Sequence, residues 1–446
     1  MNGLPASGTS RRTLLRNVLA LAAAAPVLAA CTDDGDTPAP SASGGGDDKF
    51  PGVALKVACN PTSQQACAEA GKQWAALTGG TVTAEIIPYA ERATSYASWI
   101  VSKDASYDVL YAGVDFISNF GDKIYLDLAK LLGDTSDFVP AALGQLTKSG
   151  ALHAAPLFAD MELFFHNKKN WAEAGLPEAL PGTWDELYAY APKLAVGNRE
   201  PCVVPWNNNG VPFWIAFFNS TGGQLFSEDK SQLMFDNDKG LQTWQAIARG
   251  FQAKFFGTAG ANAVGDQDTS LLFNQNLAAS QINTTGFGST ALSTDPAAKS
   301  VIGKDDLGIS PLPGIAAGTS GSVIVAEGLG INKFGKNQEA ALSFVKFATG
   351  AQFQKQLVLG KAGQVLPSSR LSVSRDAEVA TSFPFAAALA EQAKAQLAWP
   401  GNAPFKWNAP FLLGLTNLSK GTWTPEQAHE ETINAVKKLM IAQMGA

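Results

Sequence analysis

Apolar residues alternate at Val53, Leu55, Val57 and Cys59, the period of two that predicts a half-buried strand. Thr62 or Ser63 then opens a predicted helix that carries Cys67, Trp74 and Leu77 on one side and stops at Gly79-Gly80. A second strand is predicted over Thr81 to Pro88, a helix around Glu91 to Ser102, and a third strand over Tyr107 to Ala112. Strands alternating with helices predict a parallel α/β sheet with helices on its faces.

Farther along, the helical period takes over. Thr183 followed three residues later by Glu186 spells a capping box, and Trp184, Leu187, Tyr188 and Ala191 share one face behind it. Lys239 to Phe251 is predicted to turn Trp244, Ile247 and Phe251 inward. Asn337 to Thr349, capped by Asn337, does the same with Ala341, Phe344, Val345 and Ala348. In Thr424 to Met440, Thr424 is the cap, Pro425 takes the first helical position and Gln427 completes a second box.

The chain's 446 residues allow two or three domains. With 46% hydrophobic and only 16% charged residues it reads as a packed globular body. A net charge of -6 and a pI near 5.3 exclude a basic footprint for DNA or RNA. Only His153, His166 and His429 are available for a histidine-rich metal site, so no metal is assigned, and no cofactor fingerprint appears. Gly330 to Asn337 nearly spells a phosphate-binding loop, but Asn337 stands where the magnesium-binding hydroxyl belongs.

The first thirty residues read as an export signal. Arg11 and Arg12 precede an apolar run, Val18 to Ala30, that is too short to span a bilayer. The arginine pair resembles the twin-arginine pattern, with Leu14 in place of Phe and Arg16 in place of Lys, so the general and twin-arginine routes both stay open. Leu28-Ala29-Ala30-Cys31 resembles a bacterial lipobox, which implies lipidation of Cys31 and a membrane anchor. Thr32 to Phe50 lacks apolar periodicity and reads as a disordered tether. Cleavage before Cys31 removes Arg11, Arg12 and Arg16 and no acid, so the exported body is more acidic than the whole chain. Cys59, Cys67 and Cys202 then remain; the first two are either a local disulfide or two buried thiols.

Several segments, in order, resemble the family 1 extracellular solute-binding proteins of ABC importers. They are Ala155 to Asp160, Phe164-Phe165-His166-Asn167, Ala174-Gly175-Leu176-Pro177, Thr183 to Leu187, Gly222 to Phe226, Pro311 to Gly314, Lys336 to Ala341 and Gly363 to Pro367. Phe165-His166 departs from the tyrosine of that pattern. The resemblance implies two α/β lobes with ligand held in the cleft between them, and discontinuous domains. Residues 51–157 plus 282–320 are expected to form one lobe, and 158–281 plus 321–446 the other. It implies a monomer that catalyses nothing, binds a di- or oligosaccharide and delivers it to a permease.

A pyranose offers apolar C–H faces and a rim of hydroxyls, so its site needs aromatic rings and oriented carboxylates or amides. Trp206, Trp399 and Trp407 lie in loop-like sequence and are the candidate stacking rings, with Phe287 beside them. Asn60, Asp115, Asp160 and Glu327 are the candidate polar contacts, and Gly328, like Gly286 and Gly288, is a place where backbone can approach a ligand. The same acids would also serve a glycoside hydrolase, and the same fold a glycerophosphodiester or peptide.

Overall fold

A computed structural model describes residues 49–206, 210–227, 232–263, 265–292, 299–362, 365–395 and 408–444. Cys31, Gly363, Gln364, Trp399 and Trp407 lie outside the described residues. The expected opening alternation is present. Strand β1 (Ala54–Cys59) is followed by helix α1 (Gln64–Thr78), β2 (Thr81–Ile86), α2 (Tyr89–Ser102), β3 (Val109–Gly113) and α3 (Val114–Ile124). Both β2 and β3 pair with β1 in parallel, as helical crossovers require.

Helix α1 buries Ala66, Cys67, Ala70, Gly71 and Trp74 and ends where Gly79 turns at φ 80°. Leu77 is not on that stripe. It is 58% exposed, because it lies three positions beyond Trp74 and the stripe drifts around the helix to Thr78. Cys59, Cys67 and Cys202 are free, buried thiols.

A short hairpin, β4 (Thr147–Lys148) and β5 (Ala151–Leu152), leads into the thirteen-residue strand β6 (Ala155–Asn167). Strand β7 (Ser280–Thr284), β8 (Leu307–Ser310) and β9 (Ile324–Ile331) complete a sheet ordered β2-β1-β3-β9-β6-β7, with β8 also on β6. Strand β9 lies antiparallel between β3 and the first half of β6, while the second half of β6 carries β7 and β8.

Each half of β6 belongs to its own core. On one side Leu55, Val57, Trp74, Val109, Leu329 and Phe344 pack together. On the other, Phe164 faces a cluster with Trp184, Trp206, Trp214, Phe217 and Trp244, and its neighbours Leu163 and Phe165 face Phe273, Phe383 and Phe385. Alternate residues of this strand thus enter different cores, which is why Leu163, Phe164 and Phe165 run together without a polar residue between them.

The strand pairing bears on where the two expected lobes divide. Segment 282–320 was expected beside 51–157, yet β8 and the end of β7 bond to residues 162–167 of β6. The return to the first core comes later, at β9, and continues through helix α4 (Gln338–Ala348), whose Phe344 meets Trp74 edge-on at 6.1 Å. Asn337 precedes α4 but caps nothing with its side chain, which donates to Asp108 Oδ1 at 3.1 Å instead.

Both capping boxes are formed. Glu186 N–H donates to Thr183 Oγ1 at 3.3 Å and Thr183 N–H to Glu186 Oε2 at 3.1 Å; the equivalent bonds join Thr424 and Gln427 at 3.2 and 2.9 Å. Thr183→Ala is expected to lower stability by about 1 kcal/mol, read as a shift in denaturant midpoint at unchanged slope.

Candidate functional site

The carboxyl ends of β1, β3 and β7 converge on the middle of β6 and β9. Strand β1 delivers Asn60, β3 delivers Asp115 on the first turn of α3, and the register sets Glu327 of β9 opposite Gly113 on one side and Phe158 on the other. Asp160 follows two residues after Phe158, opposite Val325.

Asn60 is held rigidly. Its Oδ1 accepts from Ser63 N–H at 2.7 Å, Ser63 Oγ at 2.6 Å and Thr62 Oγ1 at 2.8 Å, which leaves its amide to donate to Glu327 Oε2 at 2.5 Å. Thr62 also reaches that oxygen at 3.3 Å. Below them the hydroxyls of Tyr96 and Tyr125 both donate to the Tyr111 carbonyl, at 2.8 and 2.7 Å. The Tyr111 hydroxyl bonds to Glu327, and the buried Arg92 guanidinium lies 4.8 Å from the Tyr111 ring centroid.

Asp160 is buried and accepts from Gly286 N–H at 3.0 and 3.2 Å. A Cβ at Gly286 would stand 2.9 Å from Asp160 Oδ2, so the missing side chain lets the amide approach. Glu162, two residues on, is also buried, and its Oε2 has no hydrogen-bond partner among the described residues.

Burial pushes Asp115 and Asp160 up to about 6 and Glu327 up to about 7, with Asn60, Arg92 and Tyr111 opposing the rise at Glu327. Glu162 is pushed well above the usual range by burial and by the charges of Asp266 and Asp160. These groups hold protons in the folded chain that the unfolded chain has already lost. The contribution of Asp115, Asp160 and Glu327 therefore lowers stability as pH rises from about 4 to about 7 and is constant above that, and Glu162 acts in the same direction. Thermal scans at stepped pH should show Glu327→Gln gaining on the wild type across the upper part of that window. A constant offset between the two would contradict the assignment.

The set that comes together is Asn60, Asp160 and Glu327, which interact through Glu327, and Asp115, which lies near Tyr111. Three expected residues do otherwise. Trp206 is fully buried, with Phe256, Phe251 and Phe213 at ring distances of 4.8, 5.4 and 5.9 Å, so it offers no face to a ligand. Gly328 is buried between paired strands, where a Cβ would meet the Ala155 carbonyl at 2.6 Å; it serves strand packing. Gly288 is likewise filled against the Phe165 ring, at 2.1 Å from a Cβ. Phe287 is half-buried in the turn after β7.

Sequence reasoning missed Tyr111, Arg92 and Glu162. A signal existed for the last: it and Asp160 are the charged residues of an otherwise apolar strand, two apart and so on one face. Among the described residues no group of His, Cys, Asp and Glu could hold a metal ion.

Two cores joined by crossing strands, with a polar site where they meet, define a two-lobe α/β binding fold. Residues 60–355 match the family of bacterial extracellular solute-binding proteins, well over half of the chain, and the protein belongs to that family. A "Probable ABC transporter-binding protein" of Deinococcus radiodurans is 26% identical over 68% of this chain and 74% of its own. A mannitol-binding protein of Pseudomonas aeruginosa is 25% identical over 66% and 68%. Maltose-bound MalE3 of T. maritima shares the fold at a TM-score of 0.75, with 20% identity over 87% of this chain and 100% of that one.

Proposed function

We propose that the protein is the exported receptor of an ABC importer for a sugar or polyol, which it captures between its lobes and hands to a permease without chemical change. The observation that carries this reading is the set of hydrogen-bonding side chains Asn60 and Asp115, just past the ends of β1 and β3, and Asp160 and Glu327, in the middle of β6 and β9. Carboxylates and amides accept from, and donate to, the hydroxyls of such ligands. The relatives that bind maltose and mannitol support the same class. A phosphate-bearing ligand fits less well, since among the described residues the acids Asp115, Asp160, Glu162 and Glu327 outnumber the cation Arg92 there.

The lobes follow the cores: one from residues 49–157 with the segment from Glu327 to Leu366, the other from Asp160 to Val323 with the segment from Leu371 onward. A ligand that touches both favours the closed state. Cys31 carries the lipid that keeps the receptor at the membrane. Labelled fatty acid should enter the wild type and not Cys31→Ala.

Calorimetric titration with mono-, di- and oligosaccharides, polyols and their phosphate esters tests the central reading. Binding of a neutral member, recovered intact, is expected. Binding restricted to the phosphate esters would overturn the ligand class, and recovery of cleaved sugar would overturn the receptor role.

A further inference from the structure

A cavity of about 570 Å³ lies along β8, and none of its lining residues belongs to the site described above. Its volume is within the range of small-molecule sites. His166 of β6 lines it, 2% exposed, with neither ring nitrogen hydrogen-bonded. The ring is fixed from three sides. It packs 4.5 Å from Trp171 and 6.1 Å from Phe164, and Gly308, its register partner on β8, lies so close that a Cβ would come within 2.1 Å of it. A buried imidazole with both nitrogens unpaired is unusual, because buried polar groups are normally satisfied.

Lys168 and Lys304 both line the cavity, as does one acid, Glu178. Lys304 makes no ion pair among the described residues. Lys168 faces Glu178 at 3.8 Å, a loose pair whose carboxylate is 83% exposed and free to swing away. Leu292, Leu307 and Pro384 form an apolar wall.

From this arrangement we infer a second binding site, for a small organic anion whose carboxylate or phosphate meets Lys168 and Lys304 above the buried His166 ring while its apolar body rests on Leu292 and Pro384. Burial and the charge of Lys168 push His166 down to about 4, so the ring is neutral at physiological pH and its resonances report on the cavity above it without titrating. The site is independent of the sugar reading, since it uses none of those residues.

The three histidines of the chain make the imidazole ¹H–¹⁵N spectrum of the full protein a direct test. Benzoate and phenyl phosphate are the two anionic probes, and benzyl alcohol the uncharged control. Saturable shifts of the His166 resonances by either acid are expected, and the tighter acid assigns the head group. Lys304→Ala, at an exposed position, should weaken that binding about two- to fivefold, the share of one exposed ion pair. No His166 response to either acid at roughly 20 mM, above the affinity of weak sites, would overturn the proposal. So would an equal response to benzyl alcohol with Lys304→Ala unchanged, which would make the cavity merely apolar.

Discussion

Glu327→Ala should weaken sugar or polyol binding by about tenfold to a hundredfold, the range of a lost hydrogen bond to a charged group, while the protein stays folded. Glu327 is the residue on which the site turns: it takes the Asn60 amide at 2.5 Å, bonds the Tyr111 hydroxyl and feels Asp160 and Arg92. On the proposed reading its removal takes one acceptor from the ligand, and it frees the Asn60 amide and the Tyr111 hydroxyl. Stability should hold or rise near neutral pH, because burial had raised this acid to about 7 and its ionised form is held at a cost. Binding and stability thus move in opposite directions, as at many functional sites. Calorimetry paired with thermal scans reads both, and undiminished affinity in a folded variant would remove Glu327 from the site.

Trp206→Ala is expected to act on the other axis, lowering stability by about 3–5 kcal/mol, the usual loss for a buried tryptophan. The ring has no exposed surface and sits among Phe213, Phe217, Phe251 and Phe256. A large drop in denaturant midpoint with ligand affinity retained is the expected pair of results. Weakened affinity at an unchanged midpoint would mean that the ring faces a ligand after all.

Trp206 also shows where sequence reasoning reaches its limit. The stretch from Pro205 to Gly210 is polar and turn-rich, which argues for a loop, and loops carry binding rings. The side chain's direction is set by something the local sequence does not contain: phenylalanines contributed by residues 213, 217, 251 and 256. Local signals fared well. Period-two alternation placed β1, and Thr183 with Glu186 marked a helix start whose reciprocal bonds both form. Asn60's place in the candidate cluster was legible because it directly follows a strand of an α/β sheet, where such folds bind ligands. Glu327 was legible as an acid between Val325 and Gly328, although it lies within β9 and not in a loop.

The lobe boundaries were not legible, because they depend on which strand crosses between the cores. β8 and β9 are both short apolar segments, and only their partners distinguish them, residues 164–167 for one and β3 with residues 155–161 for the other. Arg92 and Tyr111 were missed for a related reason: each reads as an ordinary helix or strand residue until the fold sets them against each other.

The crowding of tryptophan in the second core has a spectroscopic consequence. Trp184, Trp206, Trp214 and Trp244 are all but fully enclosed within one aromatic cluster. Their emission will be blue-shifted and coupled by energy transfer, and insensitive to events at Asn60 and Glu327. The emission of these four should therefore report the melting of that core and stay nearly silent to a docking ligand, so a ligand-induced change in the fluorescence of the whole protein would come from its other tryptophans, Trp99, Trp399 and Trp407 among them.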